Sequence, residues 1–357
     1  MHEAARAQYE PLTRTYLDTA GYGLPTASTV DAVKSAVDRW REGSADWARD
    51  WDSAGDRCRA QAAPLFGAPA AEIALLPAVS VGAGVVLSVV RGEVLVPDDE
   101  FASILLPALA HEGARVRRVP FARLAEEVRP ETALVATSHV RSNDGRVQDL
   151  AAVAHAARSV GAQVLVDATH SAGILPVDAD GLGLDFVLAA AYKHLLCPRG
   201  VAFLRIARRH WEDVPALAAS WRSAGEPYSH YYGPTLGDLA GNAARYDVSL
   251  AWHAWVGAEP ALAYLSSVPA AQRRDWCVGL ADRLAKLLGV PATGSSILAV
   301  EVDRPEQAHA GLRAARVTVS GKSSLIRLSF HLYNDTADAE RAAEVLAPFV
   351  NAERSLG

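Results

Sequence analysis

The sequence predicts an α/β protein with a large, doubly wound domain and a smaller α/β C-terminal domain. Short apolar runs such as residues 133–137 alternate with amphipathic segments such as 150–159, the pattern of a mixed or parallel sheet with helices on both faces. A chain of 357 residues is also longer than one hydrophobic core usually supports. We therefore predict a large domain over 16–255 and a small domain over 256–357 that includes the N-terminal arm, 1–15.

Composition narrows the class of protein. Half of the residues are hydrophobic and 21% are charged, which favours a globular chain over a disordered one. A net charge of −6 and the lack of long basic runs argue against nucleic acid or an anionic membrane as partner. Three scattered cysteines favour neither a disulfide framework nor a metal site, and no apolar stretch is long enough to span a membrane. We expect a soluble, cytoplasmic protein.

In the large domain, apolar runs predict strands and apolar residues at helical spacing predict helices. Thr26 is a suitable cap for the first helix. Trp47 and Trp51, four residues apart, are expected to pack on the core or on a second subunit. The expected strands are 15–18, 93–97, 116–119, 133–137, 164–166, 186–191 and 201–204, and the expected helices are 26–40, 56–66, 121–128, 150–159 and one that ends at 109. Residues 72–90 are expected to form a strand, a tight loop and a helix.

The second half of the chain is less regular. Residues 205–246 are aromatic and non-periodic, which favours a binding loop or an interface. A long helix is expected from about 245–256, containing Trp252, as the link into the small domain. The remaining expected helices are 261–266, 273–288 and 335–346, with strands at 297–302 and 324–334.

An acid and an amine follow two neighbouring predicted strands. Asp167 ends the run Val164 to Val166, and Tyr192 and Lys193 end the next apolar run. Both lie at carboxyl strand ends, where open α/β sheets hold their ligands. Pyridoxal phosphate (PLP) requires a lysine for a Schiff base and a carboxylate for its ring nitrogen. From these residues alone, a capping aspartate and a solvated lysine remain the alternative.

The surrounding residues resemble a known signature. Asp167-Ala-Thr-His170, followed by Tyr192-Lys193 and Pro198-Arg199-Gly200, is similar to the signature of the class V aminotransferases, the cysteine desulfurase-like branch of the fold type I PLP enzymes. The similarity extends from about residue 16 to 346. It implies that Lys193 holds the cofactor, that Asp167 contacts the ring nitrogen and that His170 lies near the ring hydroxyl.

The same resemblance suggests where the cofactor phosphate binds. Ser80, Val81 and Gly82 lie where a helix is expected to begin, and the free amides of a helix N-terminus bind phosphate. In relatives a residue near the position of Ser249 donates a phosphate contact across the dimer. We therefore expect a homodimer in which this serine completes the partner's site.

Two further cofactor contacts follow from the resemblance. Phe101 is expected to stack on the cofactor ring, as an aromatic or histidine does in relatives. A polar loop after the strand at 133–137 is expected to meet the ring hydroxyl, through Ser142 or through Asn143 beside it.

Substrate recognition is expected from both ends of the chain. In the stretch 324–334 the alternation of apolar and polar residues places Arg327 and Ser329 on one face. Relatives have a similar stretch whose arginine binds the substrate carboxylate, and a guanidinium fits a carboxylate with two parallel hydrogen bonds. Tyr22, in a loop expected beside the site, and Trp252 are further substrate-binding candidates.

The expected activity is PLP-dependent chemistry at Cα or Cβ of an amino acid through an external aldimine. Residues 304–324 contain no cysteine, so we predict a branch without the desulfurase thiol. We favour β-elimination, a C–S lyase acting on an S-conjugated cysteine in small-molecule biosynthesis. The alternatives are an aminotransferase, decarboxylation-coupled deamination or epimerisation, and a non-catalytic scaffold, because one set of residues supports several reactions.

Overall fold

The computed structural model describes residues 5–229, 231–232, 238–321 and 324–350. Its strands form one large sheet and two small ones. In chain order the strands are β1 (Thr15–Tyr16), β2 (Ile73–Leu76), β3 (Gly92–Pro97), β4 (Ala114–Val119), β5 (Thr132–Ser138), β6 (Gln163–Asp167), β7 (Phe186–Ala190), β8 (Ala202–Ile206), β9 (Ile297–Glu301), β10 (Val317–Thr318) and β11 (Leu325–Ser329).

The large sheet has seven strands in the order β2-β8-β7-β6-β5-β3-β4. Strand β8 runs antiparallel to both β2 and β7, and all other neighbours are parallel. The predicted mixed, mostly parallel sheet is therefore confirmed. Since β5, β6 and β7 are parallel neighbours, their carboxyl ends meet at one edge of the sheet.

Among the described residues, ten α-helices surround the sheets. Thr26 caps the first, its hydroxyl accepting a hydrogen bond from the Thr29 amide, and Gly43 ends it with φ 66°. The helices are α1 (Ala27–Glu42), α2 (Ala54–Ala62), α3 (Val79–Leu87), α4 (Ala102–Ala110), α5 (Leu150–Val160), α6 (Ala179–Leu182), α7 (Trp252–Ser267), α8 (Ala270–Leu288), α9 (Pro305–Ala314) and α10 (Thr336–Leu346).

Two helix predictions were wrong. The helix expected at 121–128 is only a 3₁₀ turn, Phe121–Arg123. The Glu127 carbonyl accepts a hydrogen bond from the Arg117 side chain, and Pro130 disfavours helical backbone before it. The helix expected from 245 begins only at Trp252, after a separate 3₁₀ turn.

Three hydrophobic clusters form the core. Two of them pack on the two faces of the large sheet. The third joins β9 and β11 to α8 and α10, and includes Leu17 from the N-terminal segment. The domain boundary at 255 and 256 stays a prediction. Within the described ranges, no helix is both long and apolar enough to cross a bilayer.

Candidate active site

Asp167 and Lys193 line one cavity at the carboxyl edge of the large sheet. Asp167 is the last residue of β6 and is buried, and its Oδ1 accepts a hydrogen bond of 2.8 Å from the Thr169 amide. Lys193 follows β7 and is also buried. Its Nζ lies 3.2 Å from Nε2 of His170. The three residues on which the sequence analysis centred therefore lie together.

Burial determines the charge states of these groups. It lowers the pKa of Lys193 to about 8, although the carboxylate of Asp167 acts in the opposite direction. Burial also raises the pKa of Asp167, against the effects of the hydrogen bonds from Thr169 and the charge of Lys193. The pKa of His170 falls well below its usual value, chiefly through burial. His170 is therefore neutral at pH 7, and its Nε2 can accept a hydrogen bond from the ammonium group of Lys193.

Phe101 lines this cavity with a partly exposed side chain. Its ring centroid lies 5.3 Å from Nζ of Lys193, and 43% of the residue is exposed. The buried carboxylate of Glu100 fixes this segment by accepting hydrogen bonds of 2.7 Å from the amides of Phe101 and Ser138. Glu100 was not predicted as a site residue; the signal in the sequence is the acidic run Asp98-Asp99-Glu100 that follows the strand expected at 93–97.

The expected phosphate loop is only partly at the cavity. Helix α3 begins at Val79, and Ser80 lines the cavity. Val81 packs on the apolar cluster instead. A Cβ on Gly82 would lie 2.4 Å from Cδ2 of Leu188, so this glycine permits close packing of α3 on the sheet. The side chain of Val81 and the Cβ position of Gly82 face the sheet, and the contact of their backbone amides with the cofactor phosphate stays a prediction.

Arg327 faces an adjoining cavity that shares Phe101, Ser138 and Ser142 with the first. Its guanidinium donates to the Ser142 hydroxyl at 3.1 Å, to the Ser142 carbonyl, and to the Ser320 hydroxyl at 2.9 Å. Burial lowers the pKa of Arg327. Ser142 therefore lies between the cofactor-side cavity and the arginine, and it contacts the arginine directly.

Three predicted residues lie away from the cavity of Lys193. Tyr22 is 55% exposed and lines a separate groove. Ser249 is exposed and is not among the residues that line the cavity. Trp252 stacks on Trp47 with ring centroids 5.1 Å apart and donates to the Asp52 carboxylate at 2.9 Å. The Trp252 ring therefore lies in an aromatic cluster, and its contact with substrate stays a prediction.

Two residues of the signature also line the cavity without having been assigned a role. Tyr192 lies with its ring centroid 5.8 Å from Nζ of Lys193. The guanidinium carbon of Arg199 lies 5.1 Å from the centroid of the same ring. Their signal was present in the quoted sequence Tyr192-Lys193 and Pro198-Arg199-Gly200.

The cavity fits PLP. A buried amine with a pKa near 8 loses its proton readily, as attachment of an aldehyde requires. A buried carboxylate faces the same cavity, and Nδ1 of His170 has no hydrogen-bond partner among the residues that the structure describes. The Phe101 ring and the first turn of α3 line the cavity, where they can contact the cofactor ring and its phosphate.

Comparisons with known proteins agree with this geometry. The family described as aminotransferase class V matches residues 16–297. An uncharacterised aminotransferase of Bacillus subtilis, YcbU, is 26% identical over 310 residues, which are 81% of this chain and 82% of that protein. A kynureninase of Deinococcus radiodurans is 30% identical over 253 residues, 65% of this chain and 62% of that protein.

Solved structures show the same fold. The cystine C–S lyase C-DES, in complex with cysteine persulfide, superposes with a TM-score of 0.83 at 22% identity, over 95% of this chain and 98% of that chain. A variant of C-DES with glycine covalently linked to its PLP cofactor gives a TM-score of 0.85 at 23% identity, over 96% and 99%. The family match covers most of the sequence: the chain belongs to the class V aminotransferase family, whose members are PLP-dependent enzymes acting on amino acids.

Proposed function

We propose that this enzyme catalyses β-elimination from an S-conjugated cysteine, a C–S lyase reaction. The observation that carries the proposal is a cationic side chain in the cavity of Lys193. The Arg199 guanidinium lies over the Tyr192 ring, and both residues line that cavity. Among the described residues, Arg199 has no ion pair with an acidic side chain. An unpaired cation stabilises the negative charge that develops on a departing sulfur.

The cysteines of the chain support elimination over desulfuration. Cys58, Cys197 and Cys277 are all buried, and burial raises the pKa of each thiol. A thiol with a raised pKa is a poor nucleophile, because the thiolate is the reactive form. Of these, none lines the cavity of Lys193. The substrate sulfur would therefore leave as a thiol without transfer to the protein.

Each residue has a proposed role in this reaction. Bound PLP would draw electrons away from Cα of the substrate. Asp167 would keep the pyridine nitrogen protonated, and Phe101 and the first turn of α3 near Ser80 would hold the ring and the phosphate. Arg327 would orient the substrate carboxylate through its paired N–H donors.

Lys193 would take the proton from Cα, because its amine is buried and its pKa is lowered to about 8. His170, 3.2 Å from that amine and neutral, would accept a hydrogen bond from it and keep it in position. The elimination balances: the C–S bond breaks, the sulfur leaves as a thiol after gaining a proton, and water then releases pyruvate and ammonium.

Transamination is the second candidate. The same amine, carboxylate and arginine would move a proton from Cα to the cofactor, and the relative YcbU is named as an aminotransferase. The fold likeness to a cystine C–S lyase supports elimination. We also propose a homodimer in the cytoplasm, in which the exposed Ser249 would reach the partner's cofactor site.

Product analysis separates the two reactions. The holoenzyme is incubated with S-benzyl-L-cysteine, without and with a 2-oxo acid acceptor. A lyase releases benzyl thiol, pyruvate and ammonium in equal amounts without the acceptor. An aminotransferase releases no thiol and turns over repeatedly only when the acceptor is present. Release of thiol that depends on the acceptor, or no release, overturns the lyase proposal.

A further inference from the structure

A second concave site adjoins the candidate active site. It is a groove with a volume of about 560 Å³, between helix α1 and the loop that follows Lys193. Tyr192 and Arg199 line both this groove and the cavity of Lys193. The two sites therefore adjoin at these two side chains, and the groove has the size of a small-molecule pocket.

A backbone hydrogen bond connects the two segments that line the groove, the loop at Gly23 and the loop at Tyr192. The Gly23 amide donates a hydrogen bond of 2.9 Å to the Tyr192 carbonyl. A Cβ on Gly23 would lie 2.2 Å from the Lys193 carbonyl oxygen, so only glycine allows this approach. Leu196, in the opposite wall, has φ 59°, a left-handed conformation rare for leucine. Backbone strain of this kind persists where surrounding contacts hold it, often at ligand sites.

The chemistry of the groove differs from that of the cavity. Its surface is mainly apolar, and its charged side chains, Lys34 and Arg199, are both cationic. Among the described residues that line it, no side chain is acidic. The apolar and aromatic residues of the wall are Tyr22, Pro25, Val30, Val33, Tyr192, Leu196, Cys197 and Pro198.

We propose that this groove binds the S-substituent of the substrate, and that the substituent is bulky and apolar, such as a benzyl group. The inference rests on the proposed function, because it takes the substrate to be an amino acid substituted at Cβ. With the carboxylate on Arg327 and Cα beside Lys193, a substituent on Cβ that extends past Tyr192 and Arg199 would enter the adjoining groove. A large group on sulfur would extend past Tyr192 and Arg199 and bury its apolar surface against Val30 and Tyr22.

The groove also gives a role to Tyr22. Its ring is 55% exposed, packs against Tyr16 at 5.4 Å between centroids, and its carbonyl accepts a hydrogen bond of 2.7 Å from the Tyr16 hydroxyl. A positioned, exposed aromatic ring is suited to contact with an apolar ligand. Tyr22 is thus proposed as a specificity residue that contacts the substituent, at a distance from the reacting atoms.

Binding is measured first, with probes that cannot react. The acids 3-(benzylthio)propanoate and 3-(methylthio)propanoate lack the α-amino group, and calorimetry on the holoenzyme compares their affinities. We expect the benzyl probe to bind at least about tenfold more tightly, as burial of an apolar ring predicts. Equal affinities overturn the proposal. Because no turnover is involved, this result does not depend on whether the reaction is elimination or transamination.

A matched pair of variants then locates the binding site. Val30→Trp would fill the groove, whereas Val37→Trp makes the same change two turns later on α1, at a residue that does not line it. We expect Val30→Trp to remove the preference for the benzyl probe and Val37→Trp to retain it. Tyr22→Ala, at an exposed position, provides a second test and should reduce the preference several-fold. An unchanged preference in both groove variants overturns the proposal.

Discussion

The side-chain nitrogen of Lys193 lies 3.2 Å from Nε2 of His170, and both groups are buried. Burial lowers the pKa of each group, so His170 is neutral at pH 8, where Lys193 loses its proton. A neutral His170 can accept a hydrogen bond from Lys193. Lys193 has two proposed roles, as the residue that attaches the cofactor and as the base that takes the proton from Cα. This relationship makes the amine the most informative group to test.

Lys193→Ala should abolish turnover, with a loss of at least about 1,000-fold, because the variant has neither the attachment point nor the base. Reduction of the holoenzyme with borohydride followed by peptide mass spectrometry should find the cofactor on the peptide that contains Lys193. Lys34→Ala, at an exposed lysine, is the control and should keep the label. Label on a different lysine in the unaltered protein would contradict the assignment.

Cofactor attachment should depend on pH with a midpoint near 8. The amine attacks only when neutral, and burial lowers its pKa from 10.5 to about 8. Attachment rates, followed by absorbance as PLP is added to the apoenzyme, should rise with pH and level off above this value. A midpoint near 10 would show that the amine is solvated.

The stability of the apoenzyme should depend on the same group. Between pH 8 and 10.5 the unfolded lysine is protonated and the folded one is not, so the free energy of unfolding rises with pH in this window. Lys193→Met should remove that rise and stabilise the apoenzyme at pH 7 by up to about 3 kcal/mol. Urea denaturation at several pH values measures both effects. If the free energy of unfolding of Lys193→Met depended on pH as it does in the unaltered protein, the lowered pKa of Lys193 would be excluded.

Asp167→Asn should leave the fold intact and lower turnover by roughly 100-fold or more. The amide keeps the size of the carboxylate but removes the negative charge that would hold the ring nitrogen protonated. The visible spectrum of the holoenzyme should change while bound cofactor is retained. Asp178→Asn, at the start of α6, is a control that should have no effect on the spectrum. Unchanged turnover in Asp167→Asn would refute the proposed contact.

Arg327→Lys should raise KM for the amino acid by about 100-fold and affect kcat much less, because lysine cannot form two parallel hydrogen bonds. The decarboxylated analogue of the substrate, which has no carboxylate to bind, should inhibit both proteins equally. Equal KM values for the two proteins would mean that the substrate carboxylate binds elsewhere. The hydrogen bonds from Arg327 to Ser142 and Ser320 show that the guanidinium is already held in place.

Gly23→Ala should destabilise the protein by about 1–3 kcal/mol and weaken cofactor binding, since its Cβ would lie 2.2 Å from the Lys193 carbonyl oxygen. Gly84→Ala is the matched control. In α3, a Cβ at Gly84 meets no atom within 4 Å, so alanine should stabilise the helix by about 0.5–1 kcal/mol. Thermal denaturation of both variants checks the opposite signs. Equal stability of the two variants would contradict the close packing of Gly23 on the Lys193 backbone.

Much of the site could be predicted because local sequence determines it. Strand ends are visible as breaks in apolar runs, so Asp167 and Lys193 could be placed at one sheet edge before any contact was known. Glu100 and Arg199 were missed as site residues. Their roles depend on which loops meet, and the hydrogen bonds of Glu100 to Ser138 join segments 38 residues apart.

The sequence by itself determined the alternation of strands and helices, a mixed or parallel sheet, and the pairing of one acid with one amine, because apolar periodicity and strand ends are local properties. Only the tertiary structure decided the rest. Trp252 lies in an aromatic cluster, Gly82 packs on the sheet, and Tyr22 lines a groove next to the cavity of Lys193. A side chain's neighbours are set by the packing of distant segments, and no local pattern encodes that packing.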